Sequence, residues 1–200
     1  TSTKKLAGDI NNSKLEELRG PLVISKAKVS GLFNEKDFPT DQALEFKKGA
    51  QIMLLNNDQE LRWANGTLAK ITKINFEAES RIESISIELA STGEEFILEP
   101  HIWEMLRPEY SNNRLRYEVV GSFKQFPFRL AWAVTIHKSQ GKSFDRVILD
   151  FSHKVFAPGQ MYVALSRCRT LDGMKLRTPI KLDEVIVDPR VSDYMSRRAC

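Results

Sequence analysis

The stretch TIHKSQGKSFD, residues 135–145, gathers hydroxyl, imidazole, amide and ammonium groups beside a glycine. Such groups, together with main-chain N–H groups, suit phosphate oxygens better than an apolar ligand. Gly141, Lys142 and Ser143 also match the end of G-x-x-x-x-G-K-[ST], a loop that closes its N–H groups around phosphates. The stretch therefore indicates a phosphate ligand, and the alternative is a polar surface turn.

Two features exclude a complete phosphate loop of that kind. Ile136 stands where the motif needs its first glycine, and its branched side chain does not suit a tight turn. The residues after Lys142, SFDRVILDF, are typical of a strand, whereas the motif continues into a helix. The sequence has no second G-K-[ST], so we predict that the chain alone does not bind ATP tightly, and we assign Lys142 no role.

A second polar cluster lies in APGQMYVALSRCRTLDG, residues 157–173. It places Gln160, Arg167 and Arg169 on a predicted helix and at its exit, with Arg167 following the apolar segment YVAL. A rigidly held arginine can stabilise charge on a transferring γ-phosphoryl group. The alternative is an ordinary surface arginine in a salt bridge.

The elements around both clusters predict an α/β domain. A helix is expected over residues 4–20, a strand over 21–29 and a loop over 34–46. The clusters themselves are flanked by apolar strands at 128–136 and 146–151, a helix at 157–170 and a strand at 173–176. Strand, helix and strand in this order indicate a parallel sheet with crossover connections. Loops at the carboxyl ends of such strands are where ligands bind.

Residues 47–108 have a different pattern of short alternating strands separated by turns. Predicted strands cover residues 49–55, 67–76, 81–90 and 96–100. This pattern is typical of a small antiparallel barrel. We therefore predict a split α/β domain, residues 1–46 and 109–200, interrupted by a barrel at residues 47–108.

Composition limits the class of protein. Hydrophobic residues make up 42% and charged residues 28% of the 200 positions, which allows one packed domain with a small insertion. The sequence has no run of about 18 apolar residues and no apolar core near its start, which predicts a cytoplasmic protein without membrane contact. Cys168 and Cys200 have no metal-type spacing, so no metal site is predicted.

The charges are unevenly distributed. Residues 1–46 hold 7 basic and 7 acidic side chains, residues 47–108 hold 7 and 10, and residues 109–200 hold 16 and 9. The basic excess of the last part indicates a surface that faces the phosphates of a nucleotide or a nucleic acid. A solvated basic face without a partner is the alternative.

Four stretches together resemble the Pif/RecD branch of superfamily 1 helicases. LAWAVTIHKSQGKSFDRVILD and FAPGQMYVALSRCRTLDGMKL resemble its motifs V and VI. KKGAQIMLLNNDQELRWANGTLAKI is similar to the entry into its barrel, and KKLAGDINNSKLEEL to the helix after motif IV. They follow the family's order and spacing over nearly the whole chain.

The resemblance implies the C-terminal motor part of an ATP-dependent 5′-to-3′ DNA helicase. It implies a RecA-like α/β fold, domain 2A, with a parallel sheet and helices on both faces. Domain 2A would be interrupted by domain 2B, a small antiparallel barrel of the Src-homology-3 type. The expected partners are single-stranded DNA and an N-terminal RecA-like domain of the same protein, in a monomer associated with the nucleoid. That partner domain would carry most contacts to ATP and Mg²⁺, so the 200-residue chain alone is expected to be inactive.

The resemblance also implies roles for individual residues. Arg167 corresponds to the arginine finger that reaches ATP. Gln140, Gly141 and, more weakly, Gln160 would lie near the nucleotide. Thr135, His137 and Ser139 would contact the phosphates of a single DNA strand.

Aromatic residues and lone histidines need separate interpretations. Trp103 and Trp132 lie in apolar segments and favour core packing, whereas Trp63, in a turn-rich segment, is the candidate for exposure and base stacking. His101 and His153 have no paired base or ligand set in the sequence and favour structural or surface roles.

Two other functions remain open from the sequence. One is a module without motor activity that binds nucleic acid through the barrel and the basic face. The other is an interaction domain that keeps a helicase-like fold without activity.

Overall fold

The computed structural model describes residues 1–77, 81–111, 114–153 and 155–198. The chain forms two compact units. We call Ser13–Trp132 the β unit, and Thr1–Asn12 together with Ala133–Cys200 the α/β unit. Cys200 and the Asn112–Asn113 part of the polar patch near the middle of the sequence lie outside the described residues.

Helix α1 (Lys4–Glu17) begins in the α/β unit and ends in the β unit. The described residues of the β unit form ten strands, β1 to β10. In chain order they are Val23–Lys26, Lys28–Gly31, Ala43–Phe46, Gln51–Leu54, Leu68–Phe76, Ile82–Leu89, Glu95–Leu98, His101–Ser111, Arg114–Gln125 and Phe128–Leu130.

Antiparallel pairing organises the whole β unit. Its sheets have the strand orders β10-β4-β5-β6-β7, β2-β9-β8 and β1-β3. Ile71, Ile85 and Ile87 point from β5 and β6 into a fully buried core. Phe46 and Phe128 meet edge-on in that core with ring centres 5.3 Å apart. The alternation of buried and exposed positions therefore fixes the register of the strands.

Strands β8 and β9 form a long hairpin. Its register shifts between Met105 and Leu106, and beyond this bulge Leu106 pairs with Val119 and Tyr110 with Leu115. Cross-strand partners share a face, so an exposed apolar face results on this part of the hairpin. The predicted boundary at residues 108/109 falls inside β8.

A parallel pair of strands lies in the described part of the α/β unit. Strand β11 (Val147–Leu149) pairs with β12 (Met174–Leu176), and α2 (Gln160–Leu165) lies in the connection between them. Leu149, Met161 and Ala164 belong to the small core that joins the sheet and α2. Helix α3 (Pro189–Arg198) follows at the end of the described chain.

The predicted parallel pairing of the strands that flank the helix is confirmed. The described fold contains antiparallel sheets, a parallel pair of strands and few helices, and the finer RecA-like and barrel assignments stay predictions. The predicted domain boundaries also stay predictions. The two compact units divide the chain at other positions, between Asn12 and Ser13 and between Trp132 and Ala133. No helix of the described chain is both long and apolar enough to cross a membrane.

Three predictions of secondary structure were wrong in part. Residues 34–46 are not all loop, because Leu44 and Phe46 are buried and their segment pairs with β1 as β3. The apolar run 128–136 is a strand only over Phe128–Leu130, which pairs antiparallel with β4. The predicted helix 157–170 is regular only over Gln160–Leu165, because Gly159 has a φ of 72° and lies outside the helix.

Candidate functional site

A single tight turn organises the first polar cluster. His137–Ser139 form one 3₁₀ turn, and Thr135 Oγ1 accepts the Lys138 N–H at 3.4 Å. The Ser139 hydroxyl donates to the Ile136 carbonyl at 2.7 Å. A 3₁₀ turn in this place does not cradle a phosphate as a glycine loop does, and β11 rather than a helix follows it.

Burial separates the residues predicted to contact DNA. Thr135 and Ser139 are 8% and 5% exposed, and their hydroxyls bond within the turn. His137 and Gln140 are exposed. Of the three residues predicted to contact DNA, the structure presents only His137 to solvent. Gln140, which was predicted to lie near the nucleotide, is exposed as well, and all of these roles stay predictions.

Gly141 redirects the chain after the turn. Its φ of 76° lies in the left-handed region that glycine adopts most easily. The next residues then run beside the exit of α2, where Phe144 forms a parallel bridge with Cys168. The Phe144 N–H donates to the Arg167 carbonyl at 2.8 Å, and the Arg169 N–H donates to the Phe144 carbonyl at 3.1 Å. These main-chain bonds join the two polar clusters that the sequence singles out.

Side chains strengthen the junction between the two clusters. Arg169 forms an exposed ion pair with Asp145, with Nη1 and Oδ1 2.8 Å apart. The Arg167 guanidinium donates from Nη1 to the Lys142 carbonyl at 3.1 Å and from Nε to the Val163 carbonyl at 2.8 Å. Arg167 is thus held at the end of α2, partly exposed and directed at the loop that follows Gly141.

Gln160 has a structural role at the start of α2. It is 9% exposed, and its Oε1 accepts the Phe156 and Ala157 N–H groups at 3.0 and 3.4 Å. These bonds fix the loop that leads into the helix. A contact to a nucleotide from this side chain stays a prediction.

Asp150 is a buried charge that the sequence reasoning missed. It follows β11 directly, is 4% exposed, and accepts the Ser152 N–H at 2.9 Å and Arg177 Nη1 at 3.0 Å. Burial alone would raise the pKa of this carboxyl, but hydrogen bonds from Ser152 and the Arg177 charge lower it below its usual value. The sequence signal that could have identified Asp150 is its place at the carboxyl end of a predicted strand, where ligand-binding residues of α/β sheets lie.

Trp63 was expected to be exposed, and this expectation was wrong. Trp63 is 7% exposed, packs against Phe96 with ring centres 5.8 Å apart, and lies beneath the Arg62 guanidinium. Trp103 and Trp132 are half-buried instead. A turn-rich sequence suggested exposure, but tertiary contacts cover this ring.

The side chains of the described residues indicate which ligands the site could hold. No three histidine, cysteine or carboxylate side chains of the described ranges come together as metal ligands. Arg167, which contacts the loop at the junction of the two clusters, carries a guanidinium, a group that suits phosphate oxygens. The donor set therefore fits a nucleotide phosphate but offers no cage for Mg²⁺.

Comparisons with known proteins identify relatives of this arrangement. No family model matches the chain. The ATP-dependent DNA helicase Pif1 of Campylobacter jejuni is 34% identical over 189 residues, which cover 90% of this chain and 41% of that protein. Bacteroides sp Pif1 in complex with ADP-AlF4 superposes with a TM-score of 0.84 at 33% identity, over 98% of this chain and 43% of that one. Bacteroides Pif1 bound to single-stranded DNA gives a TM-score of 0.76 at 34% identity, over 98% of this chain and 44% of that one.

These relatives are helicases of superfamily 1. Within that class, the chain belongs to the Pif1/RecD-like family. It spans about one fifth to two fifths of the length of the curated relatives that it matches.

Proposed function

We propose that the chain is the C-terminal motor part of an ATP-dependent 5′-to-3′ DNA helicase and supplies its motifs V and VI. Residues 1–46 and 109–200 would form the RecA-like domain 2A, with a parallel sheet and helices on both faces. Residues 47–108 would form domain 2B, the Src-homology-3-type barrel. The relatives are ATP-dependent DNA helicases, and the chain's match to only part of their length supports a partial motor.

The junction between the two polar clusters carries this proposal. Arg167 extends from the end of α2 and contacts the loop after Gly141 through the Lys142 carbonyl at 3.1 Å. A DNA-driven nucleotidase needs a connection between the group that contacts the nucleotide and the loop that contacts DNA. The main-chain bridge between Phe144 and Cys168 supplies a connection of this kind within one unit.

ATP, when bound, supplies the γ-phosphoryl group and its negative charge. Arg167 would donate N–H groups to that charge, with Gln140, Gly141 and Gln160 lining the nucleotide side. A finger of this kind contributes about 10³ to 10⁵ in turnover in comparable nucleotidases. Mg²⁺ and most contacts to ATP are assigned to the N-terminal motor domain, as the family resemblance implies.

Single-stranded DNA is the proposed polymer partner. Exposed His137 would contact its phosphates directly. Buried Thr135 and Ser139 would contribute by shaping the 3₁₀ turn or through contacts exposed when DNA binds. Bacteroides Pif1 has been solved with single-stranded DNA, which supports this partner for the family. The full protein would act as a monomer on chromosomal DNA in the cytoplasm.

The decisive experiment measures ATP hydrolysis by the full-length gene product with and without single-stranded DNA. Arg167→Ala is expected to lower DNA-stimulated turnover by about 10³-fold or more, and Arg146→Ala, which removes an exposed arginine near the same loop, serves as the matched control. The 200-residue chain alone should show no ATPase activity. Near wild-type turnover in Arg167→Ala would reject the finger assignment. A gene product without G-x-x-x-x-G-K-[ST] before this chain would favour the non-motor binding module.

A further inference from the structure

A ring of hydrogen bonds fixes the side chain of Arg167. Nε donates to the Val163 carbonyl at 2.8 Å, Nη1 to the Lys142 carbonyl at 3.1 Å and Nη2 to the Ser166 hydroxyl at 2.8 Å. The Ser166 hydroxyl in turn donates to the same Val163 carbonyl at 3.1 Å. The two carbonyls therefore act only as acceptors, whereas the Ser166 hydroxyl accepts one hydrogen bond and donates another.

The ring leaves a defined part of the guanidinium for a ligand. Arginine has five N–H groups, and these bonds to described residues use three of them. One N–H on each of Nη1 and Nη2 stays available. These two terminal nitrogens form the fork that binds two oxygens of a phosphate. The contacts therefore hold the guanidinium in place and leave one N–H group on each terminal nitrogen for phosphate oxygens.

We infer that Ser166 is a positioning residue for Arg167, an inference that rests on the proposed function. Val163 and Lys142 contribute only main-chain carbonyls, so Ser166 is the one acceptor in this ring that belongs to a side chain. Its hydroxyl holds Nη2 and so limits rotation of the guanidinium about its long stem. An arginine held in advance loses less conformational entropy when charge develops on the phosphoryl group.

The experiment measures steady-state ATP hydrolysis by the full-length gene product with saturating single-stranded DNA over a range of ATP concentrations. It compares Ser166→Ala, Ser166→Thr, Arg167→Ala and the double variant Ser166→Ala/Arg167→Ala. Ser166→Ala is expected to lower kcat by about 3- to 10-fold with KM nearly unchanged, the effect of one exposed hydrogen bond to a charged group. Ser166→Thr keeps the hydroxyl and is expected to restore kcat to within about 2-fold.

The double variant separates positioning from a general effect on folding. If Ser166 acts through Arg167, removing Ser166 in the Arg167→Ala background lowers kcat no further. Ser196→Ala is the matched control, because Ser196 is also exposed and also donates to a helix carbonyl, that of Ser192 at 2.9 Å. This control should keep wild-type kcat.

The outcomes distinguish this inference from the proposed function. If Arg167→Ala keeps its turnover, the finger assignment fails, and the positioning role fails with it. If Arg167→Ala loses turnover while Ser166→Ala keeps it, only the positioning role is rejected. A fall in kcat for Ser166→Ala that persists unchanged in the Arg167→Ala background, or that Ser166→Thr does not rescue, also overturns it.

Discussion

Asp58 and Arg62 form a two-pronged ion pair in the loop between β4 and β5. Nε lies 2.7 Å from Oδ2, and Nη2 lies 2.7 Å from Oδ1. Asp58 is buried, and its Oδ2 also accepts the Glu60 N–H at 3.0 Å. The guanidinium lies over the ring of Trp63, 5.0 Å from its centre. One carboxylate therefore organises the loop and holds the cation that covers a core aromatic residue.

The first prediction concerns the pH dependence of this ion pair. The hydrogen bond from Arg62 lowers the pKa of Asp58 from 3.8 to about 2. Because the folded pKa lies below the unfolded one, the stabilisation is complete above pH 3.8 and is lost as the pH falls toward about 2. Asp58→Asn is expected to lower the free energy of unfolding of the β unit by about 1 to 2 kcal/mol at neutral pH.

Urea unfolding followed by tryptophan fluorescence checks this prediction, because all three tryptophans, Trp63, Trp103 and Trp132, lie in the β unit. The difference between wild type and Asp58→Asn should shrink as the pH is lowered through the same range. Glu60→Gln is the control, since Glu60 is 72% exposed and its pair with Arg62 is expected to contribute little. Equal losses in both variants would contradict the assignment to Asp58.

The second prediction is that Trp63 stabilises the fold and does not stack on DNA bases. Trp63→Ala removes a ring that packs against Phe96 and is expected to lower the free energy of unfolding by about 3 to 5 kcal/mol. The same urea titration measures it. Weaker binding of single-stranded DNA by Trp63→Ala, with unfolding unchanged, would show that the ring serves as a stacking platform instead.

The third prediction uses two glycines with the same backbone conformation. Gly141 and Gly93 have φ values of 76° and 74°, and an added Cβ meets no atom within 4 Å at either position. Replacing either glycine with alanine is therefore expected to lower the free energy of unfolding by about 1 to 2 kcal/mol through backbone strain. Only Gly141→Ala should also lower the ATP turnover of the full-length gene product, because it shifts the Lys142 carbonyl that Arg167 contacts.

Thermal unfolding and ATPase rates of both glycine variants check this expectation. The melting temperatures should fall by similar amounts, whereas turnover falls in Gly141→Ala alone. Equal turnover in the two variants would mean that the loop conformation does not control the finger.

The fourth prediction separates contact from support within the 3₁₀ turn. His137 is exposed, so His137→Ala is expected to weaken binding of labelled oligothymidylate about 2- to 10-fold without changing stability. Ser139 is buried and donates to Ile136 at 2.7 Å, so Ser139→Ala is expected to destabilise the turn. Fluorescence anisotropy at several salt concentrations, with the full-length gene product, measures the affinity.

Lys4→Ala, which removes a lysine from α1, is the control for weak contacts between DNA and any basic residue of the surface. If it weakens DNA binding as much as His137→Ala, the contact is not specific to the turn. If Ser139→Ala weakens binding while leaving stability unchanged, Ser139 contacts DNA directly.

Local patterns in the sequence predicted much of the fold. The apolar alternation in 67–76 and 81–90 predicted β5 and β6, because strand side chains alternate between core and solvent. Ile136 in the place of a glycine and a strand after Lys142 were enough to reject a phosphate loop. Segment β3 was missed because Pro39 and nearby charges indicate a loop, and only pairing with β1 buries Leu44.

The sequence by itself determined the family, the positions of both polar clusters and the choice of Arg167, because these depend on residue types at short spacing. Tertiary structure alone decided which groups meet. Arg167 contacts the carbonyl of Lys142, a residue 25 positions earlier whose side chain suggested no role. Trp63, in the loop between β4 and β5, is covered by Phe96 of β7. Such contacts depend on strand pairing and loop closure across long separations, which no local pattern records.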